Sequence, residues 1–407
     1  MTVSFEVSED TKTTLLLCAR FSQNSQITKS LTQSEFHKLD NLLESQNLSP
    51  RNLLGMKPDV LRSICAGQEF ISKRINSLLK QTKELDKTLM TWTKLGIWVI
   101  GEKDKGYPLK LIQRLKKARS PLLFGAGPLD NLDRGGICIV GSRDSPKTAL
   151  SFSANLGDRC ANEGLTVISS DMRGVDREAV TSALEKSGRV IVVLSDRLEK
   201  VVKEKRYRHA LADGLLTMVT PFSPNSSFTA SKAVRANRYQ YALSDIAVIV
   251  ESRRKGGIWS GADENRIEGW VPAFVRSGKT MSQGNLALQH LGLTPLSQEM
   301  IENIHNLSDF FISHAVSQTD TPIENITTKL VDSEPLDLYS LFLADFHNFA
   351  AYQAKSENEI IEYYNIEKSQ ATRWLNRAEN EGKVCYLAAH NGDKIGWISR
   401  FGTSKTD

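Results

Sequence analysis

The stretch from Gly135 to Asp176 decides the fold of this chain, and it reads GGICIVGSRDSPKTALSFSANLGDRCANEGLTVISSDMRGVD. Residues 137–140 form a short apolar run without alternation, which is typical of a parallel strand covered on both faces. Small and apolar residues then recur at helical spacing between Pro146 and Glu163, at Leu150, Ala154, Gly157 and Ala161, and Gly164 is expected to end that helix. Residues 165–168 are a second apolar run. The stretch therefore predicts a βαβ unit with two parallel strands and a right-handed crossover.

Both loops of this unit follow strands at their carboxyl ends, the edge where such sheets bind ligands. In the first loop, Gly141-Ser142-Arg143, we expect the guanidinium to join free backbone N–H groups and the positive end of a helix dipole. Arg173-Gly174 repeats this arrangement in the second loop, and the glycine permits close approach of a backbone. The loops predict an anion site, although Ser142 as a helix cap and Arg143 as a surface ion-pair partner remain an alternative.

Asp176 follows the second loop directly, and a carboxylate is unfavourable beside a bound phosphate. We therefore interpret Asp176 as a structural residue, either a helix cap or a partner that orients an arginine.

The α/β alternation continues with apolar runs at 189–194, 215–220 and 246–251 and a last unit at 260–291. Basic residues follow the third and fifth runs: Lys205, Arg206, Arg208, Arg253, Arg254 and Lys255. Charge runs are usually solvated surface, but four strand-end loops that bring cations to one rim are expected of a groove that follows a phosphate backbone. Tyr207 and Trp259 are candidates for base stacking, although we favour packing for both.

Composition limits the possible classes of protein. The chain has 407 residues, 40% hydrophobic and 24% charged, which indicates a soluble globular protein of two or three domains. No apolar run approaches the ~20 residues of a membrane span, and the N-terminus lacks a secretion-signal layout, so we expect a cytoplasmic protein. The five cysteines are scattered, which predicts neither a metal site nor a disulfide scaffold. A net charge of +5 permits a polyanionic partner without requiring one. We predict no cofactor.

The flanking regions differ in character from the centre. Residues 1–92 carry helix-compatible apolar spacing and predict an N-terminal helical domain. Residues 93–294 predict a Rossmann-like open parallel sheet, with extra strands near 96–101 and 122–127. Residues 295–335 are polar and predict a linker with one helix near 301–312.

The last region, residues 336–407, predicts a helix, a turn, a second helix and a hairpin around His390-Asn391-Gly392-Asp393. This order is that of a winged helix. Lys368, Gln370 and Arg373 are expected to face outward, but many glutamates share the module and repel phosphate. We therefore favour protein docking over DNA contact for this region.

One ordered set of residues is specific to a known family: Tyr107-Pro108, Pro121-Leu122-Leu123-Phe124, Ile139-Val140-Gly141-Ser142-Arg143, Gly174-Val175-Asp176, Asn237-Arg238, Leu243-Ser244, Val250-Glu251 and Gly284-Asn285. Through this set the chain resembles the DprA/Smf family of bacterial DNA-processing proteins over about residues 95–292. The resemblance implies an extended Rossmann domain that binds single-stranded DNA through basic loops, usually as a homodimer. It implies protection of incoming strands and their delivery to a RecA-type recombinase in natural transformation, without catalysis.

The DNA-binding residues predicted from the loops and the resemblance together are Gly141, Ser142, Arg143, Arg173, Gly174, Lys205, Arg206, Asn237, Arg238 and Lys255. The chain departs from the family pattern at Ser170 and Met172, at Tyr207-Arg208 and around Val219-Thr220-Pro221. These departures indicate a divergent branch. A role in genome defence or in a mobile element therefore stays open beside transformation.

Two other classes of function are also open. Residues 256–264 resemble the Gly-Gly-x-Gly-Thr loop of phosphoribohydrolases that release cytokinin bases, with Glu264 as the acid/base candidate of a nucleotide-processing enzyme. The spacing differs, because Ile258-Trp259-Ser260 replaces a single residue. The other alternative is a sensor that binds a nucleotide signal and reports through the winged helix.

Overall fold

The computed structural model describes residues 6–19, 28–65, 69–319, 339, 342–343, 346, 349–350, 354–364, 366–387 and 396–399. The chain divides into two compact units, Met1–Gln318 and Thr319–Asp407. The predicted linker residues 320–335 and the predicted hairpin turn at His390–Asp393 lie outside the described residues.

A single large sheet organises the first unit. Within the described residues it has nine strands in the order β1-β2-β6-β5-β4-β3-β7-β8-β9. The strands are β1 Ile97–Gly101, β2 Leu122–Ala126, β3 Ile137–Gly141, β4 Val167–Ser169, β5 Val190–Val193, β6 Leu216–Thr220, β7 Ile246–Glu251, β8 Ala273–Arg276 and β9 Thr294–Leu296. The strands from β6 to β9 in that order pair in parallel, whereas β1 and β2 are antiparallel additions. The fold is therefore α/β with a mostly parallel sheet, as the sequence predicts.

The order of the strands reverses between β3 and β7. The chain proceeds outward from β3 through β4, β5 and β6 on one side, and from β7 through β8 and β9 on the other. Sheets of this kind bind ligands in the crevice at such a switch point, beyond the carboxyl ends of the strands.

Helices cover both faces of the sheet. The helices of the first unit are α1 Glu9–Cys18, α2 Gln33–Glu44, α3 Pro58–Ile64, α4 Glu69–Leu79, α5 Thr82–Lys94, α6 Leu109–Leu115, α7 Lys147–Asn162, α8 Val175–Glu185, α9 Leu198–Val201, α10 Arg208–Ala212, α11 Ala230–Leu243, α12 Gly257–Glu268, α13 Gln283–His290, α14 Gln298–Asn303 and α15 Leu307–Thr319. One face packs against α7 and α8 and the other against α11, α12 and α13.

The predicted crossover helix is α7. Its buried face includes Ala149, Phe152, Leu156 and Cys160 together with Gly157. Of the residues expected on this face, Leu150, Ala154 and Ala161 are only partly buried, so the face is rotated from the predicted one. Gly157 on the same side lets α8 approach closely, because a Cβ there would lie 2.6 Å from the carbonyl oxygen of Ala179. The small residues of this stretch therefore allow two helices to lie side by side against the sheet.

The N-terminal helices belong to the first compact unit. Leu15 and Leu16 of α1 lie in the core beneath the sheet, together with Trp92 of α5. Leu17 faces the other way into a separate apolar cluster that includes Phe36. Helix α1 thus connects the sheet to the remaining N-terminal helices.

The segment predicted as a linker from residue 295 is ordered in its first part. It contains most of β9, then α14 and α15, and it lies in the first unit up to residue 318. Leu296, Ile301, Leu307 and Phe311 are buried in the core beneath the sheet. A few apolar residues in a polar sequence are sufficient to hold these helices, because nearly all of each large side chain is buried.

The second unit contains the predicted helix, helix and paired strands. They are α16 Glu357–Tyr364, α17 Lys368–Asn380, β10 Val384–Leu387 and β11 Gly396–Ser399, with β10 and β11 antiparallel. Ile360, Leu375, Ala378 and Val384 form part of its core. No helix within the described residues has the length and apolar character to span a bilayer.

Candidate nucleic-acid interface

The loops after β3 and β7 meet at the switch point of the sheet. The Ser142 backbone N–H donates to the carbonyl oxygen of Glu251 at 2.9 Å, and its hydroxyl donates to the same oxygen at 3.2 Å. We use the name switch-point rim for residues 141–145, 170–177 and 251–257, which follow β3, β4 and β7. The rim is therefore one connected surface at the carboxyl edge of the sheet.

Arg143 lies in this loop and not at a helix start. Helix α7 begins at Lys147 with Pro146 as its N-cap, so Ser142 is not the cap of this helix. The expectation that Arg143 lies at the positive end of this helix dipole is therefore wrong, because Asp144, Ser145 and Pro146 separate the arginine from the first turn. Among the described residues Arg143 forms no ion pair. Its guanidinium lies 5.3 Å from the ring centroid of Phe228, and Nη2 lies 3.9 Å from Met172 Sδ.

Phe228 was not a predicted site residue. This residue is 42% exposed although it is large and apolar. The signal in the sequence is a single aromatic residue within the polar segment Ser226-Ser227-Phe228-Thr229, where no core-forming period accounts for it. Beside an exposed arginine, this ring is placed to stack on a planar group.

The second loop lies against the first. Gly174 has φ +98°, and a Cβ there would lie 2.5 Å from the carbonyl oxygens of both Ser142 and Arg143. Arg173 forms an ion pair with Asp144, and Arg253 Nη2 lies 4.0 Å from the other oxygen of that carboxylate. The structure therefore brings Arg143, Arg173 and Arg253 to one rim, with Asp144 between two of them.

Replacing Gly174 by alanine is expected to lower the free energy of unfolding by about 2 kcal/mol, because of its backbone conformation and the two nearby carbonyl groups. Urea unfolding of the full chain measures this loss. Gly164→Ala is the matched control, since Gly164 also has positive φ but has nothing within 4 Å of the added Cβ. The control is expected to cost about 1 kcal/mol, and equal losses for the two variants would contradict the close approach.

Asp176 is buried in the first turn of α8. Its Oδ1 accepts the Gly141 N–H at 2.9 Å and its Oδ2 accepts the hydroxyl of Ser170. Burial raises the pKa of this carboxyl to about 6, against the opposing effects of the two hydrogen bonds and the Arg143 charge. Asp176 therefore connects the ends of β3 and β4 from inside and does not face a ligand. Ser170, a departure from the family pattern, supplies one of its two donors.

The third basic loop joins the rim through Asp171. Arg206 pairs with Asp171 and with Glu204, each at 2.7 Å. Tyr207 is buried and its hydroxyl donates to Asp171, so this ring is a packing residue and is not available to stack on a base. Burial and the Asp171 charge raise the pKa of its hydroxyl. Lys205, the other predicted cation of this loop, is exposed.

Asn237 and Arg238 lie on α11, apart from the contacts described above. Asn237 Nδ2 donates to the carbonyl oxygen of Gly257 at 3.1 Å, which holds the end of the exposed loop that carries Lys255. Arg238 pairs with Glu264 of α12 at 2.8 Å. Within the described residues no contact joins Arg238 to Arg143, Arg173 or Arg206. Glu264, the acid/base candidate, therefore forms an ion pair with Arg238, a predicted DNA-binding residue.

The rim is thus a mixed surface. Carboxylates pair with Arg173 and Arg206, whereas Arg143 has no such partner among the described residues. The Arg173 and Asp144 side chains are 72% and 64% exposed. An ion pair with this exposure contributes about 0–1 kcal/mol, so a phosphate can replace Asp144 at little cost. The described residues contain no cluster of three or more histidine, cysteine or acidic side chains suited to a metal ion.

Comparison with known proteins connects this sheet to one family. The family described as DNA recombination-mediator protein A matches residues 98–305. Protein Smf of Borreliella burgdorferi is 25% identical over 181 residues, which are 43% of this chain and 55% of the relative. Protein Smf of Synechocystis sp. is 22% identical over 240 residues, which are 53% of this chain and 59% of the relative. The chain therefore spans little more than half the length of either relative.

A solved structure shares the fold. The X-ray structure of DNA processing protein A from Streptococcus pneumoniae aligns with a TM-score of 0.51 and 20% sequence identity. The alignment covers 67% of this chain and 98% of that one.

Proposed function

Because the chain belongs to the DNA recombination-mediator protein A family, the DprA/Smf family, we propose that it binds single-stranded DNA along the switch-point rim and processes DNA for recombination. One observation carries this proposal: an arginine without an ion-pair partner among the described residues lies beside an exposed phenylalanine where the strand order reverses. Proteins that bind single strands combine cations for the backbone with aromatic rings for the bases. Arg143 and Phe228 supply one of each.

The backbone of the strand would continue over the other cations of the rim. Arg173 and Arg253 lie on the same rim as Arg143, Lys255 is exposed on the loop that carries Arg253, and Lys205 is exposed in the segment after β5. The acidic partners of Arg173 and Arg206 are displaced by phosphate as the strand binds. The backbone of the rim at Gly141, Ser142 and Gly174 would contact the strand. Asn237 would act by holding the loop that carries Lys255. Arg238 would contact phosphate only after its ion pair with Glu264 breaks.

The same proposal assigns roles to the flanking regions. Residues 1–92 act as a helical interaction module, and residues 336–407 act as a winged helix that docks a protein. In support of docking, acidic side chains are dense in this unit: Glu357, Glu359, Glu362, Glu367, Glu379 and Glu381. We propose a cytoplasmic homodimer, without catalytic activity, that protects exposed strands and assists a RecA-type recombinase, either in DNA uptake or in a divergent defence role.

Arg143→Ala is expected to weaken binding of a single-stranded oligonucleotide by about 1–3 kcal/mol, because a charge-assisted contact to phosphate is lost. Fluorescence anisotropy with a labelled oligonucleotide at several salt concentrations measures both affinity and salt dependence. Affinity of the unaltered chain should fall steeply as salt rises, and the slope should be shallower by about one contact in the variant.

Arg266→Ala is the matched control for this experiment. It removes the same charge from a side chain that pairs with Asp263 on α12 and that lies near the C-terminal end of this helix. The control should bind like the unaltered chain. Absence of binding at low salt, or equal losses for Arg143→Ala and Arg266→Ala, would reject the proposed function.

A further inference from the structure

A pocket lies at the same edge of the sheet as the switch-point rim, on the far side of β6 from the switch point. Its walls come from the end of α1, the start of α2, the start of β2, the segment after β6, and α11. Strand β2 is antiparallel to β6, and Phe124 of β2 pairs with Thr220 at the end of β6. The start of β2 therefore lies at the carboxyl edge of the parallel strands, as the switch-point rim does.

The size and lining of the pocket suit one six-membered ring. Its volume is about 140 Å³, and it is open to solvent on one side. A closed cavity of about 150 Å³ is known to bind benzene, so the enclosed part of this pocket is on the scale of a single ring. Leu31, Leu122 and Phe124 supply apolar walls, and Gln33, Ser120 and Ser223 add polar groups.

One positive charge faces this pocket. Among the described residues that line the pocket, Arg235 is the charged one, and none is acidic. Its Nη2 donates to the neutral Gln33 Oε1 at 2.9 Å, and its guanidinium lies 5.1 Å from the Phe222 ring centroid. Burial raises the pKa of the Cys18 thiol in the wall, which keeps this group neutral.

A half-buried guanidinium without a carboxylate partner favours the binding of an anionic ligand. Within the described residues Arg235 forms no ion pair, in contrast to Arg238 on the same helix and to Arg173 and Arg206 on the neighbouring loops. The ligand that satisfies both parts of the pocket is a single planar ring that carries an anionic substituent a few bonds away.

We propose that this pocket binds one pyrimidine nucleotide, with its ring between the apolar walls and its phosphate on Arg235. The choice of a nucleotide rests on the proposed function, because a strand that follows the carboxyl edge of the sheet reaches both sites. The nucleotide is either a unit of the bound strand or a free monophosphate, and the two sources share this chemistry.

Calorimetric titration of the full chain with dTMP and with dAMP tests the pocket directly. The expected result is binding of dTMP and about tenfold weaker binding of dAMP. Arg235→Gln should weaken dTMP binding about tenfold, since a charged contact is lost. Ala19→Phe should abolish it by filling the space, and circular dichroism checks that both variants fold. Arg266→Gln is the control that keeps the affinity.

Anisotropy with oligo-dT and oligo-dA then identifies the source of the nucleotide. A preference for oligo-dT that Ala19→Phe removes identifies a unit of the strand. Binding of dTMP without such a preference identifies a free nucleotide.

The pocket proposal is overturned if Arg235→Gln and Ala19→Phe change neither dTMP binding nor the preference between oligonucleotides. Strand binding that Arg143→Ala weakens would in that case leave the proposed function intact. Conversely, dTMP binding that depends on Arg235, without any strand binding, would retain the pocket and reject the function at the rim.

Discussion

Replacing Arg276 by alanine is expected to lower the free energy of unfolding by about 3–5 kcal/mol, because it leaves a buried carboxylate without its counter-charge. Arg276 is the last residue of β8 and is 3% exposed, and Glu251 at the end of β7 is 7% exposed. The arginine donates through Nη2 to the Glu251 carboxylate and through Nε to the carbonyl oxygen of Val250 at 2.9 Å. Urea unfolding of the full chain measures the loss.

Two further variants separate the charge effect from loss of packing. Arg276→Met combined with Glu251→Gln removes both charges and should recover most of the lost stability. Arg266→Ala breaks an exposed pair and should cost less than about 1 kcal/mol. A loss for Arg276→Ala no larger than that of Arg266→Ala would show that this pair contributes as little as a surface pair.

The Asp176 carboxyl is expected to lower the free energy of unfolding by about 3 kcal/mol as the pH rises from about 4 to about 7, and Asp176→Asn should remove this dependence on pH. Its pKa is about 6 in the folded protein and has the ordinary value of 3.8 when unfolded. Between these values the folded state holds a proton that the unfolded state has lost. The stabilisation is therefore complete below pH 3.8 and is lost as the pH rises through 6.

Urea unfolding of both proteins at several pH values measures this difference. Relative to Asp176→Asn, the unaltered chain should become less stable as the pH rises. Ser170→Ala should move the fall to higher pH, because the Ser170 hydroxyl stabilises the charged carboxylate. Parallel pH profiles for the unaltered chain and Asp176→Asn would contradict the raised pKa.

The buried charge of Asp176 therefore opposes folding at neutral pH. Asp176 accepts a hydrogen bond from the Gly141 N–H and interacts with the Arg143 charge, as expected of a structural residue that orients an arginine. Such a cost at a ligand-binding edge is typical of sites where stability is exchanged for function.

The core of the fold was predictable because its signals are local. The apolar run at 137–140 and the helical spacing of Leu150, Ala154, Gly157 and Ala161 indicate β3 and α7 without knowledge of the rest of the chain. The face of α7 that is buried depends on the packing of α8 and the sheet, and it is formed by Ala149, Phe152 and Leu156. In contrast, β9, α14 and α15 depend on a few apolar residues within a polar segment. Their burial against the sheet is a long-range effect that periodicity does not show clearly.

The predicted arginines were easier to find than their partners. Strand-end position identifies Arg143, Arg173 and Arg206, since carboxyl ends of parallel strands share an edge. Asp144 lies 29 residues from Arg173, and Asp171 lies 35 residues from Arg206. Such pairs depend on how loops pass one another, which no spacing rule gives.

The double hydrogen bond from Ser142 to Glu251 also has a consequence for the shape of the rim. It continues the pairing of β3 with β7 one residue past the strand end, so main chain closes the floor of the crevice. If the rim binds single strands as proposed, a strand would lie along this floor, so covalently closed circles and gaps inside a duplex should bind as well as strands with a free end.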